Sequence, residues 1–197
     1  VILFILARAS QSLRDLRFAL TRRERRCRQT KGTMAVSILV RAHNEEAVIA
    51  RRLKNCAELE YPADHVEILL GCDGCTDGTA RTAAATGIAG LRIFEYPRAG
   101  KPETLNRMVP EARGDVLVFT DANSEFQADA LEALVRHFED PSVGCVCGEL
   151  RLRAEAGSSR SEGLYWRYET LLKFLESRLN ALLGANGAVF AIRRELY

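Results

Sequence analysis

The sequence predicts an α/β domain with a mainly parallel sheet flanked by helices. Short apolar, β-branched runs alternate along the chain with segments of helical periodicity, which is typical of strand–helix–strand units. Pro62 and Pro141 fall in the loops between these segments, where proline is tolerated. A short apolar run alone does not separate a strand from a buried helix, so the prediction rests on the alternation.

The elements follow one another in a regular order. Apolar runs such as VSILV, VEILL and VLVF predict strands at 36–40, 66–70, 91–94, 116–119 and 143–152. Apolar residues at helical spacing predict helices at 45–57, 79–86, 101–108 and 128–138. A longer helix is predicted at 162–183, and its aromatic residues are typical of core packing.

Composition places the chain among ordinary globular proteins. Its 197 residues are 47% hydrophobic, and 28 Lys and Arg nearly balance 26 Asp and Glu. These values exclude a disordered tail and a small disulfide-stapled protein. A formal net charge of +2 gives no general reason to expect a nucleic-acid partner.

Residues 1–33 differ from the rest of the chain. The first seven are apolar and uncharged, and residues 22–31 carry six positive charges and one negative charge. Seven residues span only about 10 Å as a helix, against a bilayer core of about 30 Å. We interpret the segment as a truncated membrane anchor followed by a basic juxtamembrane helix. An amphipathic leader helix is the alternative.

The first interpretation makes the protein membrane-associated. Basic residues directly after an apolar helix favour the cytoplasmic side, so we expect the domain at 34–197 to lie there. The chain begins with Val1 and ends inside what resembles a domain, so we expect a fragment that is incomplete at its C-terminus.

Polar loops follow four consecutive predicted strands. In open α/β sheets, ligands bind beyond the carboxyl ends of the strands, so we expect these loops to form one site. Neither of the common glycine-rich nucleotide motifs, G-x-x-x-x-G-K-[ST] or G-x-G-x-x-G, is present. The loops are RAHNEE at 41–46, CDGCTDGT at 72–79, RAGK at 98–101 and DAN at 121–123.

Each loop offers groups suited to a nucleotide and a metal. Asp121 and Asn123 would supply oxygen ligands to a divalent cation, from the same side if the segment is extended. Lys101 would face phosphate, and Glu45 and Asp73 would accept hydrogen bonds from a base or ribose. Each acid also has a simpler interpretation; Asp77, for example, is expected to cap the helix that follows it.

The cysteines allow three interpretations. Cys72-x-x-Cys75 resembles a thiol redox motif, and together with Cys145-x-Cys147 it would have enough ligands for zinc. The loop between Cys72 and Cys75 is acidic, which raises a thiol pKa and argues against redox chemistry. We favour the third interpretation, small hydrophobic side chains in a reducing compartment.

Taken in order, these motifs resemble the family 2 glycosyltransferases. SILVRAHNEE, YPADHVEILLGCDGCTDGT, RAGKPETLN, ARGDVLVFTDAN and GANGAVFAIRREL carry the resemblance, which covers about 36–197. They look closest to the membrane-bound, cellulose-synthase-like branch. The resemblance implies a Rossmann-like GT-A fold and an inverting, metal-assisted transfer of a sugar from a nucleotide-diphosphate-sugar, with UDP as the expected nucleotide. The acceptor would be a glycan or a lipid.

The resemblance also implies residue roles. The nucleoside would be bound by Glu45 and Asp73, and the donor phosphates and sugar by Lys101 and Asn106. Asp121 would open the metal-binding D-x-D motif, which reads Asp121-Ala122-Asn123 here and would hold Mg²⁺ or Mn²⁺. The acceptor would be bordered by Asn186, Gly187 and Ala188. The family's catalytic base is expected beyond Tyr197.

Several motif positions depart from the family pattern. The usual P-A-Y-N-E-E reads Arg41-Ala42-His43-Asn44-Glu45-Glu46, and the usual D-D-G-S reads Cys72-Asp73-Gly74-Cys75. Asn123 offers a carbonyl oxygen but no charge. Two alternatives therefore remain: a degenerate, non-catalytic nucleotide-sugar-binding module, and a thiol-redox or zinc protein.

Overall fold

A computed structural model describes residues 34–148 and 189–197 of the chain. The predicted anchor and basic helix at 1–33 lie outside these residues, as does the predicted helix at 162–183. Within the part that is described, no helix is both long enough and apolar enough to cross a membrane.

Six strands among the described residues form one sheet with the order β3-β2-β1-β4-β6-β5. The strands β3, β2, β1 and β4 run parallel to one another, whereas β6 is antiparallel to both β4 and β5. The strands are β1 (Val36–Ala42), β2 (Val66–Asp73), β3 (Leu91–Tyr96), β4 (Val116–Asp121), β5 (Cys145–Cys147) and β6 (Val189–Arg193).

Helices connect the parallel strands. They are α1 (Ile49–Ala57), α2 (Thr79–Ala84), α3 (Lys101–Met108) and α4 (Ala130–Val135). Short 3₁₀ turns lie at Ala63–His65, Val109–Glu111, Arg136–Glu139 and Arg194–Leu196. The prediction of an α/β fold with a mainly parallel sheet is confirmed.

Three of the predicted elements illustrate how their extents differ from the structure. The first helix begins at Ile49 rather than at residue 45, and the backbone N–H groups of Glu45 and Glu46 donate to the side chains of Thr79 and Asp77. The predicted helix at 128–138 shortens to α4 followed by a 3₁₀ turn. The strand predicted at 143–152 is described only as the three residues of β5.

The sheet has a packed layer on each face. One face carries side chains such as Ile38, Leu70 and Val118, which pack against α1, α2 and α4. The opposite face carries Leu39 and Phe119, which pack against α3. Because side chains alternate along a strand, this division also fixes which polar residues emerge beside α3 at the carboxyl ends.

Candidate donor and cation site

Four charged residues meet on the α3 side of the sheet, at the carboxyl ends of β1, β2 and β4. Arg41 and Asp121 lie two positions, and Asp73 four positions, beyond a core residue on this face of their strand. Lys101 opens α3. Arg41 is paired in register with Asp121 on β4. The structure thus brings together three of the predicted site residues, together with Arg41.

The carboxylate of Asp73 links β2 to Arg41 and to the loop before α3. This carboxylate is fully buried and forms an ion pair with the guanidinium of Arg41. Its Oδ1 atom accepts hydrogen bonds from the backbone N–H groups of Ala99, at 2.7 Å, and Gly100, at 3.1 Å. Asp73 therefore fixes the loop that delivers Lys101 to the edge of the sheet.

These contacts keep Asp73 ionised. Burial acts to raise the pKa of its carboxyl, but the hydrogen bonds from Arg41, Ala99 and Gly100 outweigh burial and hold the pKa well below its usual range. Both carboxylate oxygens already accept hydrogen bonds within the protein. Direct contact of Asp73 with a nucleoside, as predicted, therefore requires one of these donors to move.

Lys101 and Asp121 form an ion pair across the edge, with 2.6 Å between Nζ and Oδ1. About a third of each side chain is exposed. A lysine and a carboxylate that are both accessible to solvent at the carboxyl ends of parallel strands can contact an anionic ligand and a cation, respectively.

The donor set fits a cation that is held jointly with a nucleotide. Strand β4 ends at Asp121 and the chain turns at Ala122 and Asn123, so the extended segment that was predicted to aim Asp121 and Asn123 to one side does not form. Over the described ranges, no group of three His, Cys, Asp or Glu side chains could hold a metal. Mg²⁺ is commonly bound by one or two protein oxygens plus substrate phosphates, which matches Asp121 and the exposed Asn123.

The loops after β1 and β2 are tied to each other. Asn44, in the left-handed region at φ 54°, accepts a hydrogen bond from the N–H of Thr76 at 2.8 Å. The N–H of Glu45 donates to the hydroxyl of Thr79 at 2.8 Å. Asp77 accepts the N–H of Thr79, the first residue of α2, at 3.0 Å, but it lies one position before the N-cap residue, Gly78, rather than at the cap as predicted. Glu45 is therefore anchored through its backbone.

Of the remaining predicted donor and acceptor residues, the structure describes Asn106 alone. Asn106 lies on α3, five residues beyond Lys101, and its Oδ1 accepts a hydrogen bond from the hydroxyl of Tyr197 at 2.7 Å. The predicted acceptor residues, Asn186, Gly187 and Ala188, lie outside the described residues.

The cysteines do not form the alternative sites. Burial and the neighbouring Cys75 raise the pKa of the Cys72 thiol to about 12, which disfavours the reactive thiolate. Strands β2 and β5 are separated by β1, β4 and β6, so the two cysteine pairs lie about 19 Å apart across the sheet at the usual strand spacing. That separation excludes one zinc site built from both pairs.

Sequence reasoning missed three residues that shape the site. Arg41 was noted only as part of a motif, yet its guanidinium pairs with Asp73. Arg52 and Asn55 on α1 contact the chain on either side of Asp121. Arg52 falls at an apolar position of the helical pattern, and a charge at such a position was the available signal.

Known proteins share the sequence pattern and the fold of this chain. The sequence pattern of "Glycosyl transferase family 2" matches residues 37–197. The chain belongs to this family. As a family 2 chain it is 36% identical over 116 residues to a beta-monoglucosyldiacylglycerol synthase from Nostoc sp. strain PCC 7120; the match covers 56% of this chain and 25% of that protein.

Two solved structures resemble the family 2 chain. The mannosyltransferase PcManGT from Pyrobaculum calidifontis, in complex with GDP-Man and Mn²⁺, has a TM-score of 0.71 and 26% identity, covering 91% of this chain and 52% of that one. Glucosyl-3-phosphoglycerate synthase from Mycobacterium tuberculosis, in complex with Mn²⁺, UDP-Glc and phosphoglyceric acid, has a TM-score of 0.57 and 26% identity, covering 83% and 58%.

The family and its fold follow from these matches. The predicted Rossmann-like GT-A fold is confirmed by the order of the strands and by these glycosyltransferase neighbours. Both neighbours contain Mn²⁺ beside a nucleotide-sugar. This family 2 chain spans about a quarter of the length of the synthase from Nostoc.

Proposed function

We propose that this chain is the donor-binding part of an inverting glycosyltransferase that uses a nucleotide-diphosphate-sugar, with a UDP-sugar as the first candidate. The observation that carries the proposal is the Lys101–Asp121 pair, partly exposed at the carboxyl ends of parallel strands, beside a loop that the buried Asp73 holds in place. Membership of family 2 and neighbours that contain nucleotide-sugars and Mn²⁺ support it.

Each residue at this edge has a proposed role. Lys101 binds the donor diphosphate, since an ammonium in a partly buried site is a strong partner for phosphate. Asp121 and Asn123 hold a divalent cation, Mg²⁺ or Mn²⁺, together with that diphosphate. Glu45 and Asp73 lie on the nucleoside side, and Asn106 lines the donor further along α3.

The residues present would support departure of the diphosphate. A bound divalent cation would neutralise the negative charge that develops on the leaving group. Lys101 adds a second positive charge close to the diphosphate, which stabilises the negative charge that develops there. In an inverting transfer, a general base takes the proton from the acceptor hydroxyl as the new bond forms at the anomeric carbon. We assign no described residue to that base.

The acceptor and the cellular setting are proposed from the sequence. A glycan or a lipid is the proposed acceptor, bordered by Asn186, Gly187 and Ala188, and the diacylglycerol lipid in the name of the Nostoc relative is one example of a lipid product. Membership of the membrane-bound, cellulose-synthase-like branch, with the domain on the cytoplasmic side, is proposed from the apolar and basic segment at 1–33.

Calorimetry with UDP, with and without Mn²⁺, tests this proposal. We expect UDP to bind more tightly when Mn²⁺ is present, and Asp121→Ala to weaken the Mn²⁺-dependent binding by at least about tenfold, because it removes the carboxylate ligand. Asp64→Ala is the matched control, because Asp64 is 81% exposed and lies just before the amino end of β2, whereas the site lies at the carboxyl ends of the strands. Absence of binding with both UDP and GDP would contradict the proposal.

A degenerate module that binds nucleotide-sugars without transfer is the second candidate. Asn123, which stands where a second carboxylate is usual, favours it, because an amide ligand holds a cation less tightly than a carboxylate. The two candidates differ in turnover: a transferase releases UDP from UDP-sugar in the presence of acceptor and Mn²⁺, whereas the module binds the donor and leaves it intact.

A further inference from the structure

Arg52 is a buried charge in an otherwise apolar helix face. It lies on α1 between Ile49 and Leu53 and is 1% exposed. Its guanidinium donates hydrogen bonds to two neutral oxygens, Oδ1 of Asn55 at 2.6 Å and the hydroxyl of Thr120 at 2.8 Å. Burial of a guanidinium costs free energy, so we expect an arginine at this position to have a role that an apolar side chain could not fill.

Arg52 and Asn55 form hydrogen bonds with the chain on both sides of Asp121. Thr120, bonded to Arg52, directly precedes Asp121. On the far side, Asn55 holds Phe126 with two hydrogen bonds: it accepts from the N–H at 2.8 Å and donates to the carbonyl at 2.9 Å. The guanidinium of Arg52 also lies 4.1 Å from the centre of the Phe126 ring.

The segment between these anchors contains a turn that is only weakly hydrogen-bonded within itself. Residues 121–126 leave the sheet in a turn, and the backbone hydrogen bond within that turn, from Ser124 N–H to the carbonyl of Asp121, is 3.4 Å long and therefore weak. Asn123 is exposed at its tip. Ala122 is buried in the core and Glu125 pairs with Arg51 at 2.9 Å, so the position of Asn123 relative to Asp121 depends on these contacts together with those at the two ends.

We propose that Arg52 and Asn55 are positioning residues for the cation site, and that they hold Asp121 and Asn123 at the separation at which both contact one divalent cation. This inference rests on the proposed function, because it assumes that a cation binds there with the donor. Neither residue touches the cation, since both lie on α1 and act through Thr120 and Phe126.

Asn55→Leu provides the cleaner test, because it removes both hydrogen bonds to Phe126 without a change of charge. Arg52→Lys is the second variant: it keeps the charge, but a lysine lacks the planar fork that reaches Asn55 and Thr120 together. Lys54→Leu is the matched control, since Lys54 lies on α1 between the two and is exposed. If Asn55→Leu does not fold, Arg52→Lys still gives the answer.

Two affinities are measured by calorimetry: that of Mn²⁺ in the presence of saturating UDP, and that of UDP without metal. We expect both variants to weaken Mn²⁺ binding by about tenfold or more, the usual effect of losing groups that orient metal ligands, and to change metal-free UDP binding by less than about twofold. The electron paramagnetic resonance spectrum of bound Mn²⁺ should change in both variants, and Lys54→Leu should match the unaltered chain.

The outcomes separate the two proposals. Variants that bind Mn²⁺ as the unaltered chain does, or that lose Mn²⁺ and UDP binding in equal measure, overturn the positioning role alone. An unaltered chain that shows no Mn²⁺-dependent UDP binding overturns the proposed function, and the positioning role with it.

Discussion

At the scale of single residues, Lys101 and Asp121 form an ion pair with each other. Their Nζ and Oδ1 atoms are 2.6 Å apart, so the ammonium lies where a cation bound to Asp121 would otherwise approach. An ion pair with this exposure contributes about 1 kcal/mol or less, which a bound nucleotide diphosphate can outweigh. Nucleotide and cation are therefore expected to assist each other's binding.

Replacement of Lys101 tests this coupling. In Lys101→Met we expect Mn²⁺ alone to bind about fivefold more tightly, because a competing charge worth about 1 kcal/mol is removed from Asp121. UDP in the presence of Mn²⁺ should bind at least about fivefold more weakly, because a cation that contacts phosphate is lost. Titration of Mn²⁺ followed by electron paramagnetic resonance, and calorimetry with UDP, measure the two effects. Lys54→Met is the control, and weaker binding of Mn²⁺ alone by Lys101→Met would contradict the coupling.

The sequence predicted that Lys101, Asp73 and Asp121 lie at one edge of the sheet, because each follows a predicted strand. It could not predict their partners. Whether Asp73 faces a ligand or the protein depends on the side chain at position 41 and on the course of the loop at 98–101, which periodicity does not specify. Arg52 was missed for a related reason. The helical pattern is judged from all the residues on one face of α1, so a single charged residue on that face does not change the prediction.

At the scale of elements, the predicted strands agree with the structure better than the predicted helix boundaries do. The four parallel strands each contain the predicted apolar run and extend beyond it by two or three residues, since backbone pairing continues into the polar loop. β6 was not predicted as a strand, although Val189 and Ala191 alternate as buried residues there. A short strand next to a glycine-rich stretch carries a weak pattern, and its pairing with β4 is a long-range contact.

The start of β4 depends on a close approach that can be tested. A Cβ atom on Gly114 would lie 2.5 Å from the backbone nitrogen of Ser37 and 2.7 Å from the carbonyl carbon of Val36, where β1 begins. Both atoms belong to a buried strand and cannot move aside easily. We expect Gly114→Ala to lower the free energy of unfolding by about 2 kcal/mol, measured by urea denaturation.

Gly87→Ala is the matched control for Gly114→Ala. Gly87 has a φ of 63°, and a Cβ atom there would have no heavy atom within 4 Å. Its replacement therefore adds conformational strain without a clash, and we expect a cost of about 1 kcal/mol. Equal losses in the two variants would mean that the contact with β1 is not what requires glycine at position 114.

At the scale of the whole molecule, the order of the strands explains why the site lies where it does. The chain places β1 between β2 and β4, so the loops after these three strands meet at the middle of the parallel part of the sheet. The sequence predicted that the loops converge, because parallel strands share one carboxyl edge. It did not predict the lateral order or the antiparallel addition of β6 and β5, because periodicity carries no information on which strands are neighbours.

The buried Asp73 should make the stability of the whole domain depend on pH. Its pKa is held below the value of about 3.9 that is usual for an unfolded chain, so its ionised form stabilises the folded state at neutral pH. The unfolded chain takes up the proton first as the pH falls, so this stabilisation is complete above about pH 5 and is lost progressively below about pH 4.

The Asp73→Asn variant isolates that contribution. At pH 7 we expect it to lower the free energy of unfolding by about 2 kcal/mol, because hydrogen bonds to a charged acceptor are replaced by weaker ones and Arg41 loses its counter-ion. The difference between the two proteins should narrow as the pH falls from 5 to 3, because only the unaltered chain loses stability through this carboxyl. Urea denaturation at several pH values measures it, with Asp64→Asn as the exposed control. A difference that stays constant down to pH 3 would show that the Asp73 carboxylate is not the group that the fold stabilises.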